Sequence, residues 1–500
     1  MAYIFTTMNK YILCCLVFIA LLGCIKVDEY RDLTYDKEGV EIAFPLFHSS
    51  LNISELASSL DAETSIEIQE NNEIDLLYRG QIIEGGLNQI FPPVIGFGDI
   101  QISDTSFLYT VPINFWEEII TLTMGKTSLT FKFSDRFEQP VDIILEIPEM
   151  QLNGQPFVQQ FKMTDGNFIS QPISVEDYTI TPDDLSFLIK YQALDEEGNT
   201  ILMDNASFTF DFFQIKYIEG IFSPRLIDVQ GDVIQVGLFD NWRSGGLTFS
   251  EPELYIRVEN SFGIQAISQN NTINIVTTEG ELLPLESPLL TDGVSFNYPT
   301  LSEIGEVKIT EFIFDKNNSN LGDLFSGKAA KIEYDLDALI NNKATNEVGF
   351  LSEDGFFKIE PIVRLPMTLT VEELILADKT DFDGSALEDL TSATVQWYII
   401  NDFPVDMALQ GFLYQSGILR DSLFVEPLFV EAAIINGNNQ HTPSEMIYSE
   451  SYSQEDLLTM RRADSIEVIG KFNSLPTSVS VTIYNDYYLS IDAGMKASLK

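Results

Sequence analysis

The sequence predicts a mainly β protein: about three antiparallel β-sandwich domains after a small α+β N-terminal segment. Two observations favour this fold class. Short segments with alternating apolar and polar residues fill most of the chain, and a strand–turn–strand pattern recurs three times. The alternation is clearest near the end, where Val479, Val481 and Ile483 share one face of a strand. One apolar and one polar face per strand is typical of antiparallel sheets packed onto each other.

The repeated pattern is a ten-residue alternating strand that ends in a polar pair and a phenylalanine. Its copies span 128–137, 253–262 and 394–403, and each leads through a proline or glycine into a second strand. The phenylalanines are 125 and 141 residues apart, close to a domain length of roughly 150 residues. We expect Phe262 and Phe403 to fold back into separate cores. Chance recurrence in a β-rich chain is the alternative.

The third copy reads Asn401-Asp402-Phe403-Pro404. This Asn-x-Phe-Pro form resembles immunoglobulin-like sandwiches of the late-embryogenesis-abundant type over about fifteen residues per copy. The resemblance implies that the predicted sandwiches are immunoglobulin-like.

The N-terminus carries an apolar run, 11–22, which follows Lys10 and leads into Leu21-Leu22-Gly23-Cys24. Twelve residues are too few to span a bilayer and suit a signal peptide. The tetrapeptide resembles the lipobox of bacterial lipoproteins, in which the cysteine is lipid-modified and becomes the first mature residue. The resemblance implies a lipid on Cys24. A secretory signal cleaved by the ordinary peptidase and a short membrane anchor are the alternatives.

The residues after Cys24 indicate where in the cell the protein is located. Lys26, Asp28 and Glu29 resemble the acidic surface-export signals of Bacteroidota lipoproteins, although Val27 separates the lysine from the acids. Phe44-Pro45-Leu46 and the segment that follows resemble the start of uncharacterised Bacteroidota lipoproteins. These resemblances imply a lipid-anchored outer-membrane protein exposed at the cell surface, with the periplasmic face as the alternative, and they imply no activity.

Turn-rich stretches divide the chain into six regions. They are a signal peptide at 1–23, a tether at 24–39, a small α+β cap at 40–93, and three sandwiches at 94–219, 220–299 and 300–500, the last with a linking segment. The boundaries depend on Gly85 to Pro93, on Gly220 with Ser223-Pro224, and on the proline-rich stretch 284–299.

Local signals predict a few elements within these regions. In the cap we expect a helix from Asn52 or Ser54 to Leu60 and a hairpin joining 66–68 to 74–76. Farther on we expect a helix near 322–331. A second helix over 454–462 is capped by Ser453, with Asp456 completing a capping box. Asn485-Asp486 predicts a turn between strands at 479–484 and 487–493.

Composition narrows the classes of partner. The chain has 28 basic and 76 acidic residues, for a net charge of −48, and loss of Lys10 with the signal peptide makes the mature charge 27 − 76 = −49. Such acidity argues against nucleic acid as a partner and against docking on anionic lipid through a basic patch. The alternative is that the acidity only keeps the surface soluble. Cys14 and Cys15 lie in the signal peptide, so the mature chain after Cys24 has neither disulfides nor catalytic thiols.

Catalytic signals are sparse. The two histidines, His48 and His441, are far apart in sequence, and neither has a ligand-type neighbour that completes a metal or triad motif. GxSxG, P-loop and dinucleotide-binding motifs are absent from the sequence. Paired carboxylates could serve glycoside hydrolysis, but 76 acidic residues make some pair inevitable.

One acidic loop resembles a calcium-binding sequence. In 378–384, Asp381 and Asp383 precede Gly384 with the spacing of a calcium loop, but the first ligand position is Lys379 and the twelfth is Leu390. The polar stretch 315–322 is similarly incomplete. An ordinary acidic turn is therefore favoured, and we expect no cofactor, with calcium at Asp381 and Asp383 as the one candidate.

Tryptophans are the candidates for stacking on sugars. Trp397 lies in a repeat strand and is expected in the core, and Trp116 offers no further signal. Trp242 lies in a loop-like sequence and is the candidate ligand-binding residue, although use in the core or as a loop anchor is favoured.

The sequence therefore favours a non-catalytic binding or scaffolding subunit at the cell envelope, with a protein partner. A glycan-binding or adhesion module is the alternative, and a carboxylate-based hydrolase comes third. Exposed aromatic residues in a groove would favour a glycan, whereas an exposed apolar patch would favour a protein.

Overall fold

The computed structural model describes residues 41–52, 64–90, 94–95, 98–110, 116–135, 140–181, 186–229, 231–236, 242–325, 329–343, 345–435, 441–474 and 479–499. Cys24, the tether, the predicted helix ending at Leu60 and Phe137 of the first repeat copy lie outside these residues.

Forty strands lie in the described residues. The first eighteen are β1 Glu41–Asn52, β2 Thr64–Ile68, β3 Ile74–Arg79, β4 Ile83–Gly86, β5 Val94–Ile95, β6 Ile100–Gln101, β7 Ser106–Thr110, β8 Trp116–Met124, β9 Ser128–Ser134, β10 Val141–Leu152, β11 Gln155–Met163, β12 Asn167–Ile169, β13 Ile173–Ser174, β14 Thr179–Ile180, β15 Ser186–Leu194, β16 Thr200–Ile201, β17 Asn205–Phe213 and β18 Ile215–Phe222. The next twelve are β19 Arg225–Ile227, β20 Asp232–Gln235, β21 Trp242–Phe249, β22 Glu253–Asn260, β23 Ala266–Thr277, β24 Leu282–Pro284, β25 Ser295–Phe296, β26 Lys308–Phe314, β27 Ala329–Ile340, β28 Gly349–Ser352, β29 Phe356–Pro366 and β30 Thr368–Asp381. The last ten are β31 Leu390–Asn401, β32 Val405–Gln415, β33 Ile418–Ser422, β34 Leu428–Val430, β35 Ile434–Ile435, β36 His441–Thr442, β37 Ser444–Tyr452, β38 Ser465–Ser474, β39 Val481–Thr482 and β40 Tyr488–Leu499.

Helices are short and few among these residues. They are α1 Leu87–Ile90, α2 Pro288–Thr291, α3 Leu321–Leu324 and α4 Gln454–Arg462, with 3₁₀ turns at Leu301–Glu303 and Gly384–Leu387. All strand pairs between these elements are antiparallel, so the prediction of a mainly β, antiparallel fold is confirmed.

The first sandwich packs a nine-stranded sheet against a six-stranded sheet. The larger sheet has the order β16-β15-β10-β14-β8-β18-β28, with β11 and β7 beside it, and the smaller has β12-β9-β17-β5, with β13 and β6. Strand β10 alternates buried and partly exposed residues over most of its length, which fits one face on a core and one on solvent. Fully buried rings such as Phe131, Phe157 and Phe208 fill the first core between the sheets.

The second sandwich combines two six-stranded sheets. One has the order β2-β3-β29-β22-β26 with β4, and the other has β19-β27-β23-β24 with β20 and β25. Buried residues of both sheets, including Phe314, Ile332 and Val363, form the second core.

The third sandwich contains strands from both ends of the described chain. Its four-stranded sheet, β1-β40-β31-β37, is called the terminal sheet below. It faces β32, β34 and β38 of a seven-stranded sheet, β21-β30-β38-β32-β33 with β34 and β39. The buried residues of β21, β30 and β39 lie in the second core, so this sheet is shared by two sandwiches. Trp397, Ile399 and Leu413 lie in the third core. Helix α4 adds Leu457 and Met460, and Ser453 and Asp456 form the predicted capping box at its start.

The three sandwiches repeat one pairing scheme. The repeat strand pairs with a late strand of its sandwich, as β9 does with β17, β22 with β29 and β31 with β40. The strand after the turn pairs in the facing sheet, as β10 does with β15, β23 with β27 and β32 with β38. Each repeat turn therefore carries the chain from one sheet to the other. Phe262 is 4% exposed and packs in the first core, and Phe403 is partly buried beside the third.

The sheets cross several expected region boundaries. Strand β18 runs through Gly220, so this glycine does not mark a linker. A Cβ added there would lie 2.2 Å from the Glu118 carbonyl oxygen, and the glycine therefore permits close approach of the two strands. The chain passes to the next sandwich at Ser223-Pro224. The stretch 284–299 contributes β24 and β25 to the second sandwich, and β22 pairs with β29 across position 300. The described residues of 40–93 divide among the three sandwiches, because β1 joins the third, β2–β4 join the second, and Leu87 and Ile90 of α1 pack in the first core.

Three further local predictions concern a hairpin, a helix and a turn; the first is confirmed, and the other two were wrong in part. The hairpin β2–β3 forms between the expected segments, with Ile66 opposite Leu76 and Ile68 opposite Ile74. The helix expected near 322–331 is the single turn α3, and β27 begins at Ala329. The strands around Asn485-Asp486 do not pair with each other: β39 pairs with β30, whereas β40 pairs with β1 and β31. The turn places Ile483 and Tyr487 in a small buried cluster, and Val479 is 47% exposed.

Candidate functional site

The outer face of the terminal sheet presents the side chains that point away from the third core. Strand register places four of them opposite one another in a row across the sheet: His48, Asp492, Tyr398 and Ile447. The neighbouring row is Pro45, Gly494, Gln396 and Ser449. Because successive strand residues alternate between faces, the inward neighbours of these residues, such as Trp397 and Ile399, are buried.

Hydrogen bonds order the polar part of the first row. His48 Nδ1 lies 2.6 Å from Asp492 Oδ1, and these side chains are 65% and 47% exposed. The Tyr398 hydroxyl donates to Glu445 Oε2 at 3.0 Å, and this bond to a carboxylate raises the pKa of Tyr398. The row therefore presents an imidazole, a carboxylate and a phenol at the surface, each with a hydrogen-bond partner.

An open groove of about 560 Å³ lies over these two rows. The residues that line it are Pro45, Leu46, His48, Gln396, Tyr398, Ile447, Asp492, Ala493 and Gly494. Gly494 brings no side chain to the floor, so the sheet surface is low between Pro45 and Gln396. Ile447, with 68% of its surface exposed, stands at the far side of the groove. The groove thus offers hydrogen-bonding groups beside an apolar contact, which suits recognition of a surface or an extended chain.

The second histidine also has an aspartate partner. His441 Nε2 lies 3.0 Å from Asp402 Oδ2, and the Asp402 side chain is 2% exposed. Burial raises the pKa of Asp402, whereas the charge of His441 lowers it. The His441 ring also packs edge-on against Tyr487, with the ring centroids 4.9 Å apart. This pair ties β36 to the repeat turn after β31.

Of the two calcium candidates, Asp383 has a structural role. Asp381 is exposed at the end of β30, and Asp383 caps the following 3₁₀ turn by accepting the Ser385 N–H at 2.9 Å. This bond lowers the pKa of Asp383. Within the described residues, no three Asp, Glu, His or Cys side chains are arranged to hold a metal ion. In the 315–322 stretch, Asp315 accepts the Asn317 N–H and shapes a turn in the same way.

The tryptophans are partly as expected. Trp397 is 6% exposed and packs edge-on against Phe424 in the third core. Trp242 begins β21, where it pairs with Leu376, rather than lying in a loop, and it packs half-buried against the second core. Trp116 begins β8. The groove residues contain no tryptophan. The sequence drew attention to His48, but its spacing did not predict that these residues meet in one groove.

Comparisons with known proteins give weak similarities. The chain matches no protein-family model and none of the curated proteins. It is similar to a "putative secreted protein" from Parabacteroides distasonis, at 11% identity and a TM-score of 0.26, over 57% of this chain and 89% of that one. Infectious bursal disease virus VP2 aligns at 10% identity and a TM-score of 0.16, over 78% and 74% of the two chains. Latent PorU from Porphyromonas gingivalis aligns at 10% identity and a TM-score of 0.12, over 75% and 34%. TM-scores this low support no conclusion about function.

In the part of the chain that the structure describes, no helix combines the length and the apolar character needed to cross a membrane.

Proposed function

We propose that the protein is a lipid-anchored outer-membrane protein, attached through Cys24, that acts as a non-catalytic binding or scaffolding subunit for an envelope protein. The observation that carries the proposal is the groove on the terminal sheet, where exposed Ile447 stands beside the ordered row of His48, Asp492 and Tyr398. The lipobox resemblance and the charged residues after Cys24 support the location.

The chemistry of the groove fits a protein partner. Protein interfaces combine an apolar centre with a polar rim that supplies hydrogen bonds. Here the exposed Pro45 and Ile447 supply apolar contacts, and Gln396 and Tyr398 supply donors and acceptors. The groove is open to solvent, so it suits side chains of a partner surface better than enclosure of a small molecule.

A charge substitution at Ile447 tests this proposal. The protein, isolated from membranes in mild detergent, should bring down a specific envelope protein in stoichiometric amount. Ile447→Asp should reduce that recovery at least tenfold, because a carboxylate in the apolar part of an interface must be desolvated without a partner. The matched control is Ile169→Asp, since Ile169 is 65% exposed on β12 of the first sandwich. Equal recovery with Ile447→Asp and wild type, both folded, would remove this groove as the binding surface.

Glycan binding is the second candidate function, because hydroxyl and amide groups are frequent on the same face. Thr394 and Ser451 hydrogen bond across its strands at 3.0 Å, and Gln396, Ser449 and Tyr398 lie beside them. A glycan array probed with wild type and with Gln396→Ala separates the two functions. Saturable binding of a glycan by wild type, abolished in Gln396→Ala, would favour the glycan-binding function. The third candidate function is a carboxylate-based hydrolase. Reproducible hydrolysis of peptides, esters or glycans by the pure protein, lost in Asp381→Asn or Asp383→Asn, would support it.

A further inference from the structure

We propose that the partner of the groove is a protein held in the same membrane as this chain, and that it docks where the tether joins the folded body. This inference rests on the proposed function, because it assumes that the groove binds a protein and that Cys24 carries the anchor. In addition, it specifies that the partner is held in the same membrane.

The N-terminal strand builds one wall of the groove. Pro45, Leu46 and His48 belong to β1, whereas the floor and the opposite wall come from β40, β31 and β37. The His48–Asp492 contact of 2.6 Å joins that wall to the floor. A partner in the groove therefore touches β1 and the C-terminal part of the chain together.

Chain length limits how far this site can lie from the anchor. Glu41, the first residue of β1, follows Cys24 by 17 positions, which span at most about 60 Å even when fully extended. His48 lies seven residues farther along β1, or roughly 24 Å at the usual rise of a strand. The groove therefore lies at most about 84 Å of chain from the anchor, whatever the orientation of the other two sandwiches.

This limited reach favours a partner held in the same membrane. Two proteins held in one membrane meet at a high effective concentration, so a groove with few apolar contacts can still be occupied. The bilayer itself is a poor occupant of the groove, because the mature chain carries a charge of −49. Two acidic side chains also lie at the groove: Asp492, which contacts His48, and Glu445, which accepts the Tyr398 hydroxyl. Anionic headgroups would repel this surface. The exposed Ile447 instead fits an apolar side chain of a protein.

Site-specific cross-linking with a cleavable tether tests the inference. The mature chain has no cysteine after Cys24, so Ser449→Cys supplies a single thiol on the exposed groove row for a maleimide photo-cross-linker. A recognition sequence for a site-specific protease is inserted within 25–40. After cross-linking in isolated envelopes, the tether is cut and the membranes are washed with carbonate. Asp165→Cys, exposed on the first sandwich, is the matched control.

The expected result is one discrete adduct with Ser449→Cys that stays in the washed membranes, while uncross-linked protein is released and Asp165→Cys gives no such adduct. An adduct that is released with the cut protein would overturn the membrane-held partner and leave the proposed function standing. No adduct at Ser449, or the same adduct at Asp165, would overturn both, because the groove would then have no specific protein partner.

Discussion

Two asparagines hold the repeat turns by the same hydrogen bond. The Phe262 N–H donates to Asn260 Oδ1 at 3.0 Å, and the Phe403 N–H donates to Asn401 Oδ1 at 3.1 Å. Asn401 is fully buried, and its Nδ2 donates to the carbonyl oxygens of Val405 and Glu431 at 3.0 and 2.8 Å. One side chain thus satisfies three backbone groups where the chain leaves β31.

We therefore expect Asn401→Ala to lower the free energy of unfolding by about 2–4 kcal/mol, because buried backbone groups lose their partners. Urea denaturation of the purified ectodomain measures the change. Gln396→Ala, exposed on the same strand, is the control and should cost less than about 0.5 kcal/mol. Equal losses in the two variants would mean that the turn does not depend on Asn401.

The pair of His441 and Asp402 predicts a pH dependence. Burial raises the pKa of Asp402 in the folded protein, and His441 opposes this rise. A carboxyl group with a raised folded-state pKa takes up its proton more readily when folded, so its contribution to stability falls as pH rises through that pKa. His441→Ala removes the opposing charge and moves this fall to higher pH.

The expected result for His441→Ala is a loss of about 2 kcal/mol at pH 7, since a buried charge loses its partner. Relative to wild type, the variant should recover stability as the pH is lowered from 7 towards 4.5. Denaturant titrations across this range measure both effects. Parallel stability curves for the two proteins would show that Asp402 is not kept charged by His441.

At the scale of elements, the glycine that suggested a calcium loop has a packing role. A Cβ on Gly384 would lie 2.6 Å from both the Cα of Arg461 and the carbonyl oxygen of Met460, so the 3₁₀ turn lies directly against the end of α4. Arg461 also donates to the carbonyl oxygens of Leu387 and Leu390, at 2.8 and 2.6 Å. These contacts leave no room for a side chain.

We expect Gly384→Ala to destabilise the protein by about 1–3 kcal/mol, because backbone atoms must move. Gly322→Ala provides an internal contrast. Gly322 lies in α3 with no atom within 4 Å of an added Cβ, so alanine should be neutral or stabilise by up to about 1 kcal/mol. Thermal unfolding of both variants measures the contrast, and a shift of the same sign and size in both would contradict it.

Strand faces and caps could be predicted from the sequence, and register could not. Alternation correctly predicted the burial of Val481, Ile483 and Trp397, although Val479, assigned to the same face as Val481, is 47% exposed. The spacing of Ser453 and Asp456 correctly located α4. The contact between His48 and Asp492 joins residues 444 positions apart. It exists because β1 pairs with β40, and no local pattern encodes that choice. The turn at Asn485-Asp486 was expected to close a hairpin for the same reason: local sequence shows a turn but not which sheet receives each strand.

At the scale of the whole molecule, the first and last described strands meet in one sheet. Glu41 pairs with Ser498, so the predicted tether enters the body beside its C-terminal end. Strand β1 is an edge of the terminal sheet, and it carries Pro45 and an irregularity, between Pro45 and Phe47, in its pairing with β40. Such features discourage pairing with another strand. We therefore expect partners to use the face of this sheet rather than its β1 edge.

Membrane attachment through Cys24 is the claim on which the proposed function depends, and fractionation of Cys24→Ser tests it most directly. Acyl chains contribute about 0.8 kcal/mol per buried methylene, so several chains hold a protein in the membrane almost irreversibly. We expect wild type to remain in outer membranes after a carbonate wash. The Cys24→Ser protein should leave that fraction while its ectodomain keeps the wild-type unfolding midpoint. A folded Cys24→Ser protein that stays in the washed outer membranes would contradict the lipid anchor.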